Sequence, residues 1–169
     1  MATWFKRLQI GIVIPAALIL SAAGCSSGPQ TGPIEVRWDK DVCVRCLMSV
    51  SDRRYSAQVR GGEAGGRTRV YLFDDLGCAV LWLEQQGWRD DSRTEIWVTD
   101  ENTGEWLDAR KAAYVTGRIT PMDYGLGAVS GSAADALDFR QACLEVHVRE
   151  SGEHRRTGGG HSPEGTEQK

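Results

Sequence analysis

Histidine is scarce in this sequence: there are three, and His147, His154 and His161 all fall at or beyond the last predicted helix. A zinc or catalytic centre built on imidazole therefore has nothing to draw on near the cysteines. A Gly-rich phosphate loop is absent, and so is a Ser/His/Asp arrangement, which removes the commonest nucleotide-phosphate and hydrolase signatures. A basic cluster is missing from the body of the chain. The net charge is −3 overall; Lys6 and Arg7 are the only charges ahead of Cys25, so the remainder carries −5. That balance excludes nucleic acid as a partner. Arg149, His154, Arg155 and Arg156 sit in a polar tail, where their expected role is solvation.

A long apolar run is also lacking. The apolar stretch from Leu8 to Leu20 is interrupted by Gln9, Gly11 and Pro15 and is short for a membrane span. It follows Lys6 and Arg7 and precedes Ser21-Ala22-Ala23-Gly24-Cys25. This is the charged, apolar and small-residue order of an export signal. Ala-Gly-Cys resembles a bacterial lipobox, with Ala22 where leucine is usual. On that reading residues 1–24 are a lipoprotein signal peptide and Cys25 is the lipidated first residue of the mature chain. Acyl chains there would hold the protein on the periplasmic face of a bacterial membrane, inner or outer. Residues 25–33, rich in Ser, Gly and Pro, would form a flexible tether.

The remaining length suits one domain, expected over residues 34–149, with a disordered polar tail over 150–169. Ile34 to Trp38 alternates as a strand would. Tyr55–Val59 and Arg69–Phe73 flank a Gly-rich turn and predict a hairpin. Asp74-Asp75 is a helix start, with Leu76, Ala79, Val80 and Leu83 at helical spacing and Gly87 as its end. Thr94–Thr99 predicts a strand with Ile96 and Val98 inward. Glu105–Val115 is ambiguous between a helix and short strands, and Gly125–Gly131 between strand and loop. Arg118–Met122 is extended because of Pro121. Ser132 would cap a last helix to about Val146, with Ala136, Phe139 and Cys143 on one face. Strands then helix, twice over, predicts an α+β fold of two β-β-α units.

The stretch Cys43-Val44-Arg45-Cys46-Leu47-Met48 concentrates two thiols and a thioether in six residues. Soft sulfur donors on an exported chain point to a soft metal, first of all Cu(I). Met48 matters here, because thioether is a poor ligand for zinc. In an extended segment Cys46 and Met48 would face the same side, so that one ion could reach both. C-x-x-C is also the spacing of a disulfide or redox pair, but no amphipathic helix follows Cys46, as a thioredoxin-like site requires. Cys78 and Cys143 lie on apolar helix faces and are expected to be buried free thiols, with a disulfide between them as the alternative. Asp74 and Asp75 are expected to cap a helix rather than work as an acid–base pair.

Taken together, Asp41-Val42-Cys43-Val44-Arg45-Cys46-Leu47-Met48, Asp52–Gln58, Phe73-Asp74-Asp75-Leu76-Gly77-Cys78, Val98-Thr99-Asp100, Gly104–Ala109 and Thr120-Pro121-Met122 resemble the NosL family of copper chaperones, from about Glu35 to Leu144. The resemblance implies a non-enzymatic, membrane-tethered periplasmic lipoprotein. It would bind Cu(I) and deliver it to nitrous oxide reductase alongside an ABC-type membrane complex. It also implies a fold of two β-β-α units like the alkylmercury lyase core. Leu47 and Asp123 stand where glycine is common in that family. Cu(I) is content with two or three soft ligands, so Cys46 and Met48 with either Cys43 or Met122 would suffice. A second copy of the chain could complete such a site as a homodimer. The alternative is a lipoprotein thiol–disulfide oxidoreductase using Cys43 and Cys46.

Overall fold

The computed structural model describes residues 31–157. The leader, Cys25, the start of the tether, and residues 158–169 with His161 lie outside the described residues. No described helix is long and apolar enough to cross a membrane.

The central strand is β1, Ala57–Gly61, and both of its faces are buried. Ala57, Val59 and Gly61 alternate along it with Gln58 and Arg60, so the two sets point to opposite sides. Gly61 lies directly under the Trp88 ring, where a Cβ would overlap it. On the opposite face the chain from Gly32 to Val36 crosses the strand, and polar side chains hold it there. The Gln58 amide accepts from Ile34 N at 2.9 Å and donates to Ile34 O at 2.8 Å. The Arg60 guanidinium donates twice to Gly32 O, at 3.0 and 2.7 Å. Buried polar groups are tolerated when they are bonded in this way. Ile34–Trp38 consequently forms no strand: a side-chain amide satisfies its backbone, not a ladder.

The expected hairpin is present. β1 pairs antiparallel with β2, Arg69–Phe73, with Ala57 opposite Phe73 and Gly61 opposite Arg69. The first strand starts at Ala57 rather than Tyr55, because Asp52 accepts from Arg54 N at 2.9 Å and folds Arg53–Tyr55 into a turn. On its other edge β1 pairs with β3, Glu95–Thr99, and β3 pairs with β4, Trp106–Asp108. The sheet order is β2-β1-β3-β4. The ambiguous stretch from Glu105 to Val115 therefore resolves into strands, β4 and then β5, Ala113–Val115. β5 pairs with β6, Gly127–Val129, in a separate two-stranded sheet.

Helix α1, Leu76–Leu83, packs on β1 and β2, and α2, Phe139–Thr157, packs on α1 and β5. Asp75 is the N-cap of α1. The helix stops before Gly87, which is not left-handed. Backbone N–H groups of Glu84, Gln85 and Gln86 bond the carbonyls of Val80, Trp82 and Leu83, and the side chains of Gln86 and Arg89 add donors to Trp82 O and Glu84 O. Ser132 does not cap α2, and Ala136 is not in it. Asp138 and Gln141 bond each other's backbone N–H at 2.8 and 2.9 Å, a capping box. The helix then continues beyond Val146 into the segment expected to be disordered. The class is α+β, as expected. The second half holds four strands before its helix, and two of them extend the sheet of the first half.

Candidate metal centre

The loop carrying Cys43 and Cys46 is closed on itself. Cys43 N donates to Met48 O at 2.9 Å and Leu47 N to Cys43 O at 3.0 Å, while Val44 N donates to Leu72 O on β2 at 3.0 Å. This docks the loop at the end of the sheet where β2 runs into α1. Leu47 carries the reversal in a left-handed conformation, φ 65°. Cys46 and Met48 therefore do not lie on one extended segment: a turn and a left-handed residue separate them.

Four donors converge there. The Sγ atoms of Cys43, Cys46 and Cys78 and a carboxylate oxygen of Asp74 all lie within 4.8 Å of one another. Thiolates about 2.3 Å from one ion stand roughly 4 Å apart, so a small contraction brings these atoms onto a shared metal. Cys43, Cys78 and Asp74 are buried and Cys46 is half-buried, which leaves one side of the cluster open to solvent. All four cysteines of the described residues are free thiols.

Charge within the cluster is shared unevenly. Cys43 accepts a hydrogen bond from Cys78 and faces the backbone N–H groups of Cys46, Asp74 and Arg45; together these hold its thiol well below the ordinary range. Cys78, which donates that bond and is desolvated, is pushed well up. Burial also raises Cys46, whose Sγ–H lies 3.4 Å from both Asp74 oxygens. Burial lifts the Asp74 carboxyl to about 6, and the nearby Cys43 adds to the shift. Negative charge in the metal-free pocket is thus favoured at Cys43 over Cys46 and Cys78.

The two adjacent aspartates do different things. Asp75 accepts from Gly77 N at 3.0 Å as helix cap and from Met122 N at 3.2 Å. Asp74, ahead of the cap, turns into the thiol cluster. Cys78 sits in the first turn of α1, where the helix N-terminus favours a thiolate. Gly77 between them admits the Tyr124 ring, which a Cβ would overlap.

The cluster thus joins Cys43 and Cys46, named from the sequence, to Cys78 and Asp74, which were expected to be an inert core thiol and a cap. The spacing Asp-x-x-x-Cys at a predicted helix start, with the thiol in the first turn, was the available signal. Met48 is 51 % exposed on the rim of the loop. Met122 is packed against the core, tied by its N–H to Asp75. Cys143 belongs to another place, a cavity of about 270 Å³ with Val80, Leu83, Ile96 and Phe139 on its apolar side and Glu84, Arg89, Asp90 and Arg110 on its charged side. His147 pairs with Glu84 at 2.8 Å. The lack of histidine near the motif does not exclude zinc, because Cys78 and Asp74 bring the number of converging donors to four.

Fold and site define an α+β domain with a cysteine-rich cluster able to bind a metal ion. The chain matches no protein-family model and no curated protein.

Proposed function

We propose that this protein is a carrier of Cu(I), tethered through Cys25 to the periplasmic face of a bacterial membrane, and not an enzyme. The observation that carries the reading is the convergence of three thiols at the end of one sheet with one side open to solvent. Thiolates are soft donors suited to Cu(I). An open site with a half-buried Cys46 at its mouth suits a metal that must leave by ligand exchange, and Met48 on the rim offers a further soft donor during transfer. The motif resemblance to the NosL family supports nitrous oxide reductase as recipient, with an ABC-type membrane complex as a partner. The order of strands and helices, strands-helix twice, is in keeping with that family's fold.

Two other readings have specific support. Three thiolates and a carboxylate make four donors, a set that Zn(II) accepts in tetrahedral geometry. The thiol–disulfide alternative rests on the nearness of Cys43 and Cys46. It fits less well, because an attacking thiolate needs access, whereas the low-range thiol is Cys43, fully buried, and the accessible Cys46 is raised.

The test is an anaerobic titration of the reduced protein with Cu(I) against a chromogenic chelator, repeated with Zn(II) in competition and with Cys46→Ser and Met48→Leu. Near-stoichiometric Cu(I) binding that Zn(II) does not displace, lost in Cys46→Ser, supports the carrier. Binding that survives Cys46→Ser rules the site out. Preference for Zn(II) moves the assignment to the zinc reading.

A further inference from the structure

We infer that Arg45 is a positioning residue for the metal loop, fixing Cys43 and Cys46 over Cys78 by clamping the loop to the far half of the domain through Tyr124 and Glu150. The inference rests on the metal-binding reading only for its functional consequence; the clamp itself is geometric.

Arg45 lies between the two cysteines of the loop. Its Nη1 donates to Tyr124 Oη at 3.1 Å and its Nη2 to Glu150 Oε1 at 2.7 Å, while Tyr124 Oη donates to Glu150 Oε2 at 2.6 Å. These three bonds form a closed ring in which every member touches the other two. They join positions 79 and 105 residues apart in sequence. The ring is shielded: the Arg45 and Glu150 side chains are 25 % and 24 % exposed, so the charge-assisted bonds are stronger than those of an open surface pair.

Each partner is itself held. Tyr124 is buried, and its ring lies against Gly77 in the first turn of α1, one residue before Cys78. Glu150 is on α2, beyond the point where sequence periodicity ends that helix. On its near side the loop is fastened by the backbone bond from Val44 N to Leu72 O on β2, and the ring fastens its far side. Planar, forked guanidinium suits this double contact; a lysine ammonium cannot make it in the same way. Groups that orient a metal ligand from behind commonly set affinity by about 10- to 100-fold.

The fully buried Cys43 gives a readout that needs no metal, and Cys143, remote from the loop, gives an internal control. In the reduced, metal-free protein, alkylation of each cysteine by iodoacetamide is followed by mass spectrometry. Arg45→Gln, Arg45→Lys and Glu150→Gln are each expected to speed alkylation of Cys43 by about tenfold or more, with Cys143 unchanged, because loss of a shielded, charge-assisted bond frees the loop locally. The same variants are expected to weaken Cu(I) binding about 10- to 100-fold. A Cys43 rate within twofold of the unmodified protein overturns the clamp, as does equal acceleration of Cys43 and Cys143, which marks general loosening. Glu150→Gln, a change on a helix surface, keeps the test decisive if the Arg45 variants do not fold. A parent protein that binds no Cu(I) refutes the carrier reading, while the Cys43 rates still decide the clamp.

Discussion

Asp74 and Asp75 stand side by side, and the structure assigns them separable roles that substitution can pull apart. Asp75→Ala removes the cap of α1 and the acceptor for Met122 N. Loss of a cap costs about 1 kcal/mol, within a range of about 0.5–2. An unpaired N–H on a half-buried loop adds up to about 1 kcal/mol. Burial raises the Asp75 carboxyl, so its removal also returns some desolvation cost, and the net loss should be about 1–2 kcal/mol. For a domain of this size that is a fall in Tm of about 3–8 °C. Asp75→Asn, which caps as well as aspartate, should recover most of it.

Asp74→Asn should behave in the opposite way. The folded-state value of Asp74 is raised to about 6. A raised carboxyl contributes stability that is fully present below the ordinary carboxylate value and is lost as pH rises through the folded one. The metal-free parent protein should therefore lose stability relative to Asp74→Asn between about pH 4 and pH 7, with the two alike at the acid end. Metal binding should reverse the ranking: Asp74→Asn loses affinity and Asp75→Asn keeps it. Thermal unfolding of the reduced, metal-free proteins by circular dichroism at pH 4 and pH 8, with a chelator titration, reads all of this. If Asp74→Asn lowers Tm as much as Asp75→Ala at both pH values, the division of labour is wrong.

Cys78→Ala should weaken metal binding by more than the roughly 100-fold that marks a group behind the ligands, and chelator competition measures it; a loss below tenfold would take Cys78 off the metal. Leu47→Gly should leave stability unchanged or raise it by up to about 1 kcal/mol, since relief of left-handed strain of about 1–2 kcal/mol outweighs the entropy of a new glycine, and Leu47 is 75 % exposed with little packing to lose. A clear loss in urea unfolding would mean that its side chain packs in solution. Gly77→Ala should cost about 1–3 kcal/mol by forcing the Tyr124 ring off α1, and should also speed alkylation of Cys43; normal stability would show that the close approach relaxes freely.

Much of the fold was legible where one residue pattern had one solution. The β1–β2 hairpin, the start of α1 at Asp75 and the inward Ile96 and Val98 follow from alternation and capping alone. The failures have a common cause: a side chain did work that sequence assigns to backbone. Gln58 and Arg60 look like the solvent side of a strand, yet they bury themselves by bonding the Gly32–Ile34 backbone, and so the first predicted strand is missing. Gln86 and Arg89 add side-chain donors at the end of α1, where a left-handed glycine was expected at Gly87. Asp138 and Gln141 start α2 later than Ser132 suggests. Such bonds reach across as many as 28 residues, and local periodicity carries no trace of them.

The site was half legible for a related reason. Cys43 and Cys46 announce themselves by spacing, whereas Cys78 and Asp74 are locally indistinguishable from a core residue and a cap. It is the tertiary docking of the loop, on β2 through Val44 and Leu72 and across the domain through Arg45, that makes them neighbours of the first two. Two residues beside these segments, Leu47 with φ 65° and Asp123 with φ 57°, are left-handed without being glycine. One stands at the reversal of the thiol loop and one immediately after Met122, both places where glycine would carry no steric cost. Aspartate adopts that conformation readily, and leucine does so at a cost. An exposed leucine in a left-handed conformation therefore sets backbone strain directly beside the three converging thiols, where the reversal it carries is what returns the chain from Cys46 to the Cys43–Met48 bond.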